Sequence, residues 1–320
     1  MASPRKYPWL VLAGLAALAL VAAALFMTID AKGSWEFVLG FRARKLWGLA
    51  LVAYAIAIST VLFQTVTGNR ILTPAIMGFD YLYELVQTAL VFLLGSFAYS
   101  MLDPQLRFVG DVAVMVVLSL LLFRWLFGRS ARNLHLLVLA GIVFGVLFRS
   151  LSNLMKRLID PNEFAVLQDT FFASFNAIEP TLLAVSTAAT ALLSLAGLRL
   201  LPRLDVLMLG RETAIGLGVD HVRTVSATLA IVAVLVSIST ALVGPVLFFG
   251  LLVANLAYLA IPSFRHVFIL PAAALIGFIG LAGGQAVLEH VLGYDSALSI
   301  VIEFAGGIAF LVLLIRAKRA

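Results

Sequence analysis

The chain has 320 residues, of which 63% are hydrophobic and 12% charged, with a formal net charge of +6. A soluble domain carries about 25% charged and roughly 45–50% apolar residues, so this charge fraction cannot cover a water-exposed surface. The composition excludes a soluble globule, a disordered chain and a nucleic-acid-binding domain, and it predicts an all-α polytopic membrane protein.

One span needs about 20 apolar residues. Ten apolar segments follow in chain order, near 9–27, 46–64, 77–98, 109–127, 134–154, 179–198, 223–243, 246–261, 267–290 and 297–315. Ten spans use about 200 residues, which leaves no room for a large extramembrane domain. Residues 1–320 therefore read as a single transmembrane domain of about ten helices. The first segment follows Arg5 and Lys6, like a signal peptide. Its apolar run is longer than a signal h-region of about 7–15 residues, so it reads as a span. The eighth segment is short, and Gly244-Pro245 breaks it from the seventh, because proline lacks the N–H and clashes with the preceding turn.

Lys and Arg placement sets orientation. With the N-terminus inside, 14 of the 22 Lys and Arg residues fall on the cytoplasmic side, and both termini are cytoplasmic. The other eight, Lys32, Arg42, Arg44, Lys45, Arg107, Arg149, Lys156 and Arg157, fall outside.

Much chemistry is missing. There is no cysteine, hence no disulfide or thiolate site. The four histidines, His135, His221, His266 and His290, are dispersed, and neither H-E-x-x-H nor G-x-S-x-G occurs. Asp80, Glu84, Glu289 and Glu303 lie mostly near predicted span ends and read as interface groups rather than an ion relay. No metal site and no phosphate-binding G-x-x-x-x-G-K-[ST] loop is present. Uphill transport would therefore take its energy from another chain.

Three stretches are not plain lipid-facing helix. The first is Phe41-Arg42-Ala43-Arg44-Lys45 ahead of the second span, then Gln64, then Gly68 to Asp80 with Asn69, Thr73, Pro74 and Gly78. Irregular backbone at membrane depth is tolerated only inside protein or along a water-filled cavity. This stretch suits a re-entrant or path-lining element; an ordinary short loop is the other reading. The second stretch, within 200–222, alternates apolar and charged residues around Gly210, Gly216 and Gly218. It predicts two short helices joined by a tight turn, with apolar faces that need a partner. Packing against the protein's own helix ends is the alternative. The third is the Gly244-Pro245 break and the apolar run after it. The G-x-x-x-G at Gly141 and Gly145 is too common in apolar helices to carry weight.

In this order and spacing, the stretches resemble the permease subunits of ABC-type importers for iron–siderophores, haem and cobalamin. That family has an R-x-x-R-like stretch, a span ending in Gln and an N-P-L-A-x-P-x-x-x-G-like segment. Arg42, Lys45, Gln64, Asn69, Pro74 and Gly78 hold those positions. Its L-G-x-x-x-A-x-x-L-G-V element is matched by Leu209, Gly210, Ala214, Leu217, Gly218 and Val219. Its G-P-I-x-F-x-G-L element is matched by Gly244, Pro245, Val246, Phe248, Gly250 and Leu251. Two departures stand out: N-R-I-L-T-P replaces N-P-L-A, and Ala254-Asn255 with Tyr258 replaces a P-H-x-x-R run. Both look like the branch importing iron–catecholate or mixed siderophores.

The resemblance implies a cobalamin-importer-permease-like fold with ten spans, in the bacterial inner membrane. It implies a second permease chain (a heterodimer favoured over a homodimer), two cytoplasmic ATPase subunits and an extracytoplasmic binding protein. The chain itself would hold no cofactor, ATP and Mg sitting on the ATPases, and iron would travel inside its siderophore. The 200–222 element would couple to the ATPases, with Leu209, Leu217 and Val219 in apolar contact and Arg211 and Glu212 fixing register. Arg42 and Lys45 would meet acidic groups of the binding protein, with Arg44, Lys156 and Arg157 extending the patch; interfacial anchoring is the other reading. Gln64, Asn69, Thr73, Pro74 and Gly78 would lie near the translocation path. An ion-coupled secondary transporter or channel is the competing class.

Overall fold

The computed structural model describes residues 8–29, 34–130, 134–176, 178–293 and 297–317. In order, the helices are α1 (Pro8–Thr28), α2 (Trp35–Thr67), α3 (Phe79–Met101), α4 (Pro104–Ser130) and α5 (Leu134–Leu158), then the short α6 (Pro161–Gln168). They continue as α7 (Pro180–Leu198), α8 (Leu201–Leu207), α9 (Arg211–Gly216), α10 (His221–Val243), α11 (Phe249–Ala260), α12 (His266–His290) and α13 (Leu298–Ala317). No strand occurs among the described residues. An open strand would leave backbone groups unpaired in lipid, whereas a helix pairs them within itself. Four helices begin on proline, at Pro8, Pro104, Pro161 and Pro180, where the missing N–H has no intrahelical partner to lose.

Each of the ten apolar segments coincides with a helix. Among the described residues, eight helices are long and apolar enough to cross a membrane. The 12 residues of α11 reach about 18 Å at 1.5 Å per residue, short of the roughly 30 Å hydrocarbon core. The terminal basic residues Arg5, Lys6, Lys318 and Arg319 lie outside the described residues.

One boundary differs from expectation. α2 starts at Trp35 rather than near 46, so Arg42 and Lys45 sit inside the helix, not ahead of it. The structure satisfies both. The Arg42 guanidinium donates to the carbonyls of Phe26 (2.9 Å) and Ile29 (2.7 Å) at the end of α1, which lack intrahelical partners.

The spans α2 and α10 are the most enclosed, and α1, α5 and α7 the least. α2 packs along α12, and α10 packs along α4. The units α2–α5 and α10–α13 thus share one plan: a central helix, a break, then three further helices, with the central helix of each packed on the third helix of the other. Successive spans alternate in direction, so the units run oppositely, as in inverted repeats. The break after α2 (68–78) lies toward the end of the bundle that carries α8 and α9, and the break after α10 (244–248) toward the opposite end. Both turn inward, and Thr73–Ala75 of one and Gly244, Val246 and Phe248 of the other line a common small cavity.

The first break is held by glycine contact. Gly78 has φ +99°, and a Cβ there would stand 2.7 Å from the Cα of Gly145. Met77 lies on Gly141, so α5 receives the re-entrant turn on the G-x-x-x-G pair. That function was invisible to a motif search, because the pair's partner is a turn, not a second helix.

Gly78→Ala would strain the backbone at a cost of about 1–3 kcal/mol and push its methyl into α5. Gly283→Ala is the control, since a methyl there meets nothing within 4 Å. Thermal melting in detergent should place Gly78→Ala clearly below the parent and Gly283→Ala level with it.

Candidate functional site

At one end of the bundle, α8 and α9 form the expected helix pair. Leu204 and Leu207 of α8 and Ala214 of α9 are buried in a cluster with Leu62, Val225 and Leu229. This face fixes the element to α2 and α10. The other face is open, with Leu209, Ile215 and Leu217 each more than half exposed beside Arg211 and Glu212, which are also exposed. Val219 is half-buried. The turns set this geometry. Gly210, with φ +96°, caps α9 at its start. Gly218 closes it, with Gly218 N–H donating to Ile215 O (2.9 Å) and Val219 N–H to Ala214 O (3.0 Å). That bond pair is a Schellman cap, whose C′ residue adopts a left-handed conformation; Gly218 has φ +83°. Asp220 then caps α10, accepting from Arg223 N–H (3.1 Å).

The sequence reading assigned His266 no role, yet it joins this element to the bundle. The Asp205 carboxylate on α8 accepts from His266 N–H (2.8 Å) and lies 2.6 Å from its Nδ1. His266 Nε2 lies 2.8 Å from Thr65 Oγ1 on α2, and Thr65 donates to Val61 O (2.9 Å). His266 is fully buried and opens α12, where a carboxylate suits the positive end of the helix dipole. One side chain thus ties α8, the start of α12 and the end of α2 just before its break. No local signal could reveal it, since its partners lie 61 and 201 residues away.

The expected path residues build the first break. Gln64 is buried, and its Nε2 donates to Arg70 O (2.7 Å). Asn69 Oδ1 accepts from Ile71 N–H (2.9 Å), and Thr73 Oγ1 from Ile76 N–H (3.3 Å). Pro74 O accepts from Met77 N–H (3.0 Å) just before Gly78. Of these, Thr73 and Pro74 line the cavity between the breaks.

At the opposite end the basic residues divide. Lys45 is only 4% exposed; it pairs with Glu289 of α12 and donates to Asn176 Oδ1 (2.6 Å), while Gln285 Nε2 donates to the same glutamate (2.8 Å). Its place as an exposed docking charge is therefore corrected: the charge is spent inside. Lys156 pairs with Glu84 and stands 4.0 Å over the Phe171 ring. Arg44 and Arg157 are exposed. Arg44 borders a cavity of about 320 Å³ shared with Phe41, Phe175, Asn176 and Glu179.

The profile of the FecCD transport family matches residues 9–316. This chain belongs to the FecCD transport family. Among FecCD-like relatives, the petrobactin import system permease protein YclO of Bacillus subtilis is 44% identical over 306 residues, covering 96% of this chain and 97% of that protein. The petrobactin import system permease protein FatC of Bacillus anthracis is 36% identical, covering 99% of this chain and 90% of that protein. A solved inward-facing structure, described as a metal-chelate type ABC transporter, superposes with a TM-score of 0.84 over 96% of this chain and 99% of its own. At 20% identity that likeness speaks for the fold.

Within the FecCD frame the two departures from the family pattern meet in space. Arg70, where N-P-L-A has proline, places its guanidinium 4.6 Å over the Tyr258 ring. Asn255 donates from Nδ2 to Arg70 O (3.3 Å), beside Gln64. The altered turn and the altered α11 form one contact, a cation–π pair that closes the first break from the side.

Lys45→Met leaves the Glu289 side chain, 10% exposed, without its counter-charge; breaking a buried pair in this way costs about 3–5 kcal/mol. The double change Lys45→Met/Glu289→Met should recover most of that stability. Thermal unfolding of the three chains checks it, and a double variant as unstable as the single contradicts the pairing.

Proposed function

We propose that this chain is the permease subunit of an ATP-driven importer for ferric siderophore, lining the translocation path together with a second permease chain. The observation that carries the reading is the FecCD family match across residues 9–316, joined to an α8–α9 element whose inner face is anchored and whose outer face presents Leu209, Ile215 and Leu217. The petrobactin permeases among the relatives favour a siderophore as cargo over haem or cobalamin.

In this reading the outer face of α8–α9 docks into two ATPase subunits, which hold the ATP and Mg. Apolar contact comes from Leu209 and Leu217, and Arg211 and Glu212 set register. Gly210 permits the turn that points these groups outward. Nucleotide-driven motion then passes through Asp205, His266 and Thr65 to the end of α2, where the break begins. Both termini and α8–α9 face the cytoplasm of a bacterial inner membrane, which gives the positive-inside balance. The opposite end receives a siderophore-loaded binding protein. Arg44 and Arg157 carry the steering charge there, a role that governs encounter rate more than affinity, while Lys45 and Arg42 hold the helices that display them. A heterodimer is favoured over a homodimer. Iron crosses within its chelate, through a conduit that binds it weakly.

An ion-driven carrier is the reading this one displaces. The test uses a strain lacking this chain, with labelled iron offered on a panel of siderophores. Uptake of one siderophore class should be lost and restored by the parent gene. Gly210→Pro and Glu212→Ala chains should insert normally yet restore no uptake, and loaded binding protein should fail to stimulate ATP hydrolysis in their complexes. Undiminished stimulation in both variants contradicts the coupling role, and uptake unaffected for every siderophore contradicts the transport role.

A further inference from the structure

Beside the α8 anchor the spans leave a groove of about 450 Å³. α7 packs on α10 and α2, and α12 packs on α2, so α2 and α10 form the floor while α7 and α12 stand as the walls. The lining is mainly aliphatic, with Ile58, Leu62, Leu193, Leu235, Leu270 and Leu275 prominent, and it includes no Lys, Arg, Asp or Glu. On α12 it runs from His266 to Leu275, about 14 Å at 1.5 Å per residue. That is close to half of the roughly 30 Å hydrocarbon core. The groove therefore serves one leaflet, starting at the α8 end. Leu198, Val267 and Pro271 on its two walls are exposed, so it is open from the side.

Four polar side chains reach the lining, and each has a partner within the protein. Tyr54 Oη donates to Ser194 Oγ (2.6 Å), which donates to Thr190 O (2.6 Å). Thr228 Oγ1 donates to Thr224 O (2.7 Å). The His266 ring nitrogens are taken by Asp205 and Thr65. A cavity whose polar groups are already paired offers little to water and suits an apolar guest. A partner's spanning helix crosses both leaflets, whereas this groove stops near the midplane; an acyl chain crosses one. The charges stand at the mouth. Leu198, Leu200 and Leu204 line the groove. Arg199 sits between the first two, and Arg203 precedes the third, one helical turn beyond Leu200. Both arginines are exposed, and neither is spent on an ion pair within the described residues. Arginine pairs with phosphate bidentately, and basic clusters at the cytoplasmic ends of spans attract anionic lipid.

We propose that this groove binds one anionic phospholipid, its acyl chain lying between α7 and α12 and its phosphate held at Arg199 and Arg203. That the lipid comes from the cytoplasmic leaflet rests on the orientation in the permease reading; the site itself does not. The chain packs against Leu204 and His266, two side chains that hold α8 to the bundle. A bound lipid thus braces the joint between the surface element and the spans.

The test uses the full chain, stripped of lipid in detergent, with phosphatidylglycerol, phosphatidylcholine of the same acyl chains, or glycerol phosphate added. Phosphatidylglycerol should raise the melting temperature saturably, as a ligand specific to the folded state does, and at several-fold lower concentration than phosphatidylcholine. Glycerol phosphate should leave it unchanged. Native mass spectrometry should count one retained phosphatidylglycerol per chain. The surface double change Arg199→Gln/Arg203→Gln should bring the two lipids level. Ala274→Phe, which puts a ring into the groove, should lose the retained lipid; where that chain does not fold, the arginine variant still decides. An equal response to both lipids in the parent overturns the proposal, and so does an undiminished preference in the arginine variant. The same shift with glycerol phosphate alone overturns the groove's part in it. These readouts need neither cargo nor ATPase, so their failure and a failure of uptake in the deletion strain are separate results.

Discussion

Lipid offers no hydrogen bonds, so each backbone group at membrane depth must be paired inside the protein. The rest of this structure depends on that constraint. Ten apolar stretches become helices because helices pair their own backbone. Two stretches, 68–78 and 244–248, do not, and these are the ones drawn inward. The first is paired by Gln64, Asn69 and Asn255 and seated on Gly141 and Gly145. The second starts where Ser174 N–H donates to the carbonyl of Val243 (2.8 Å), the last residue of α10. The enclosed positions of α2 and α10 follow, since each carries a break that needs cover on all sides.

Charge is deployed under the same constraint. Lys45–Glu289 and Lys156–Glu84 are internal ties between helices, and Arg42 closes the end of α1. Buried pairs of this kind add little net stability but are expensive to break, so they fix which helix faces which. The Asp205–His266–Thr65 chain does the same at the other end, where it joins a surface element to the helix that leads into a break. A movement imposed on α8–α9 therefore has a short route of hydrogen bonds and packed leucines into the centre.

The parts of the fold legible in sequence were those written locally. Apolar length located the spans, Gly244-Pro245 located the second break, and alternating apolar and charged residues with spaced glycines located α8 and α9. What escaped was non-local. Lys45 reads as an exposed basic residue until Glu289, 244 residues on, is seen beside it. His266 reads as a stray histidine because its partners come from two other helices. Asp80 lies one residue inside α3, so it resembles a helix-end acid, and only the fold turns that helix start toward the second break. The family pattern supplied what local physics could not, the pairing of chain and role. Its departures at Arg70 and Tyr258 became intelligible only when their contact appeared.

The central claim is that α8–α9 and the first break move as one body. The chain has no cysteine, so spin labels can be placed by single substitutions. Thr213 and Ile71, both exposed, are suitable positions on the two elements. Pulsed electron–electron resonance on the assembled complex, with and without trapped nucleotide, reads the distance between them. The account predicts one unchanged distance in the parent and a distance that varies with nucleotide once His266 is replaced by alanine. A distance that already shifts with nucleotide in the parent would contradict it.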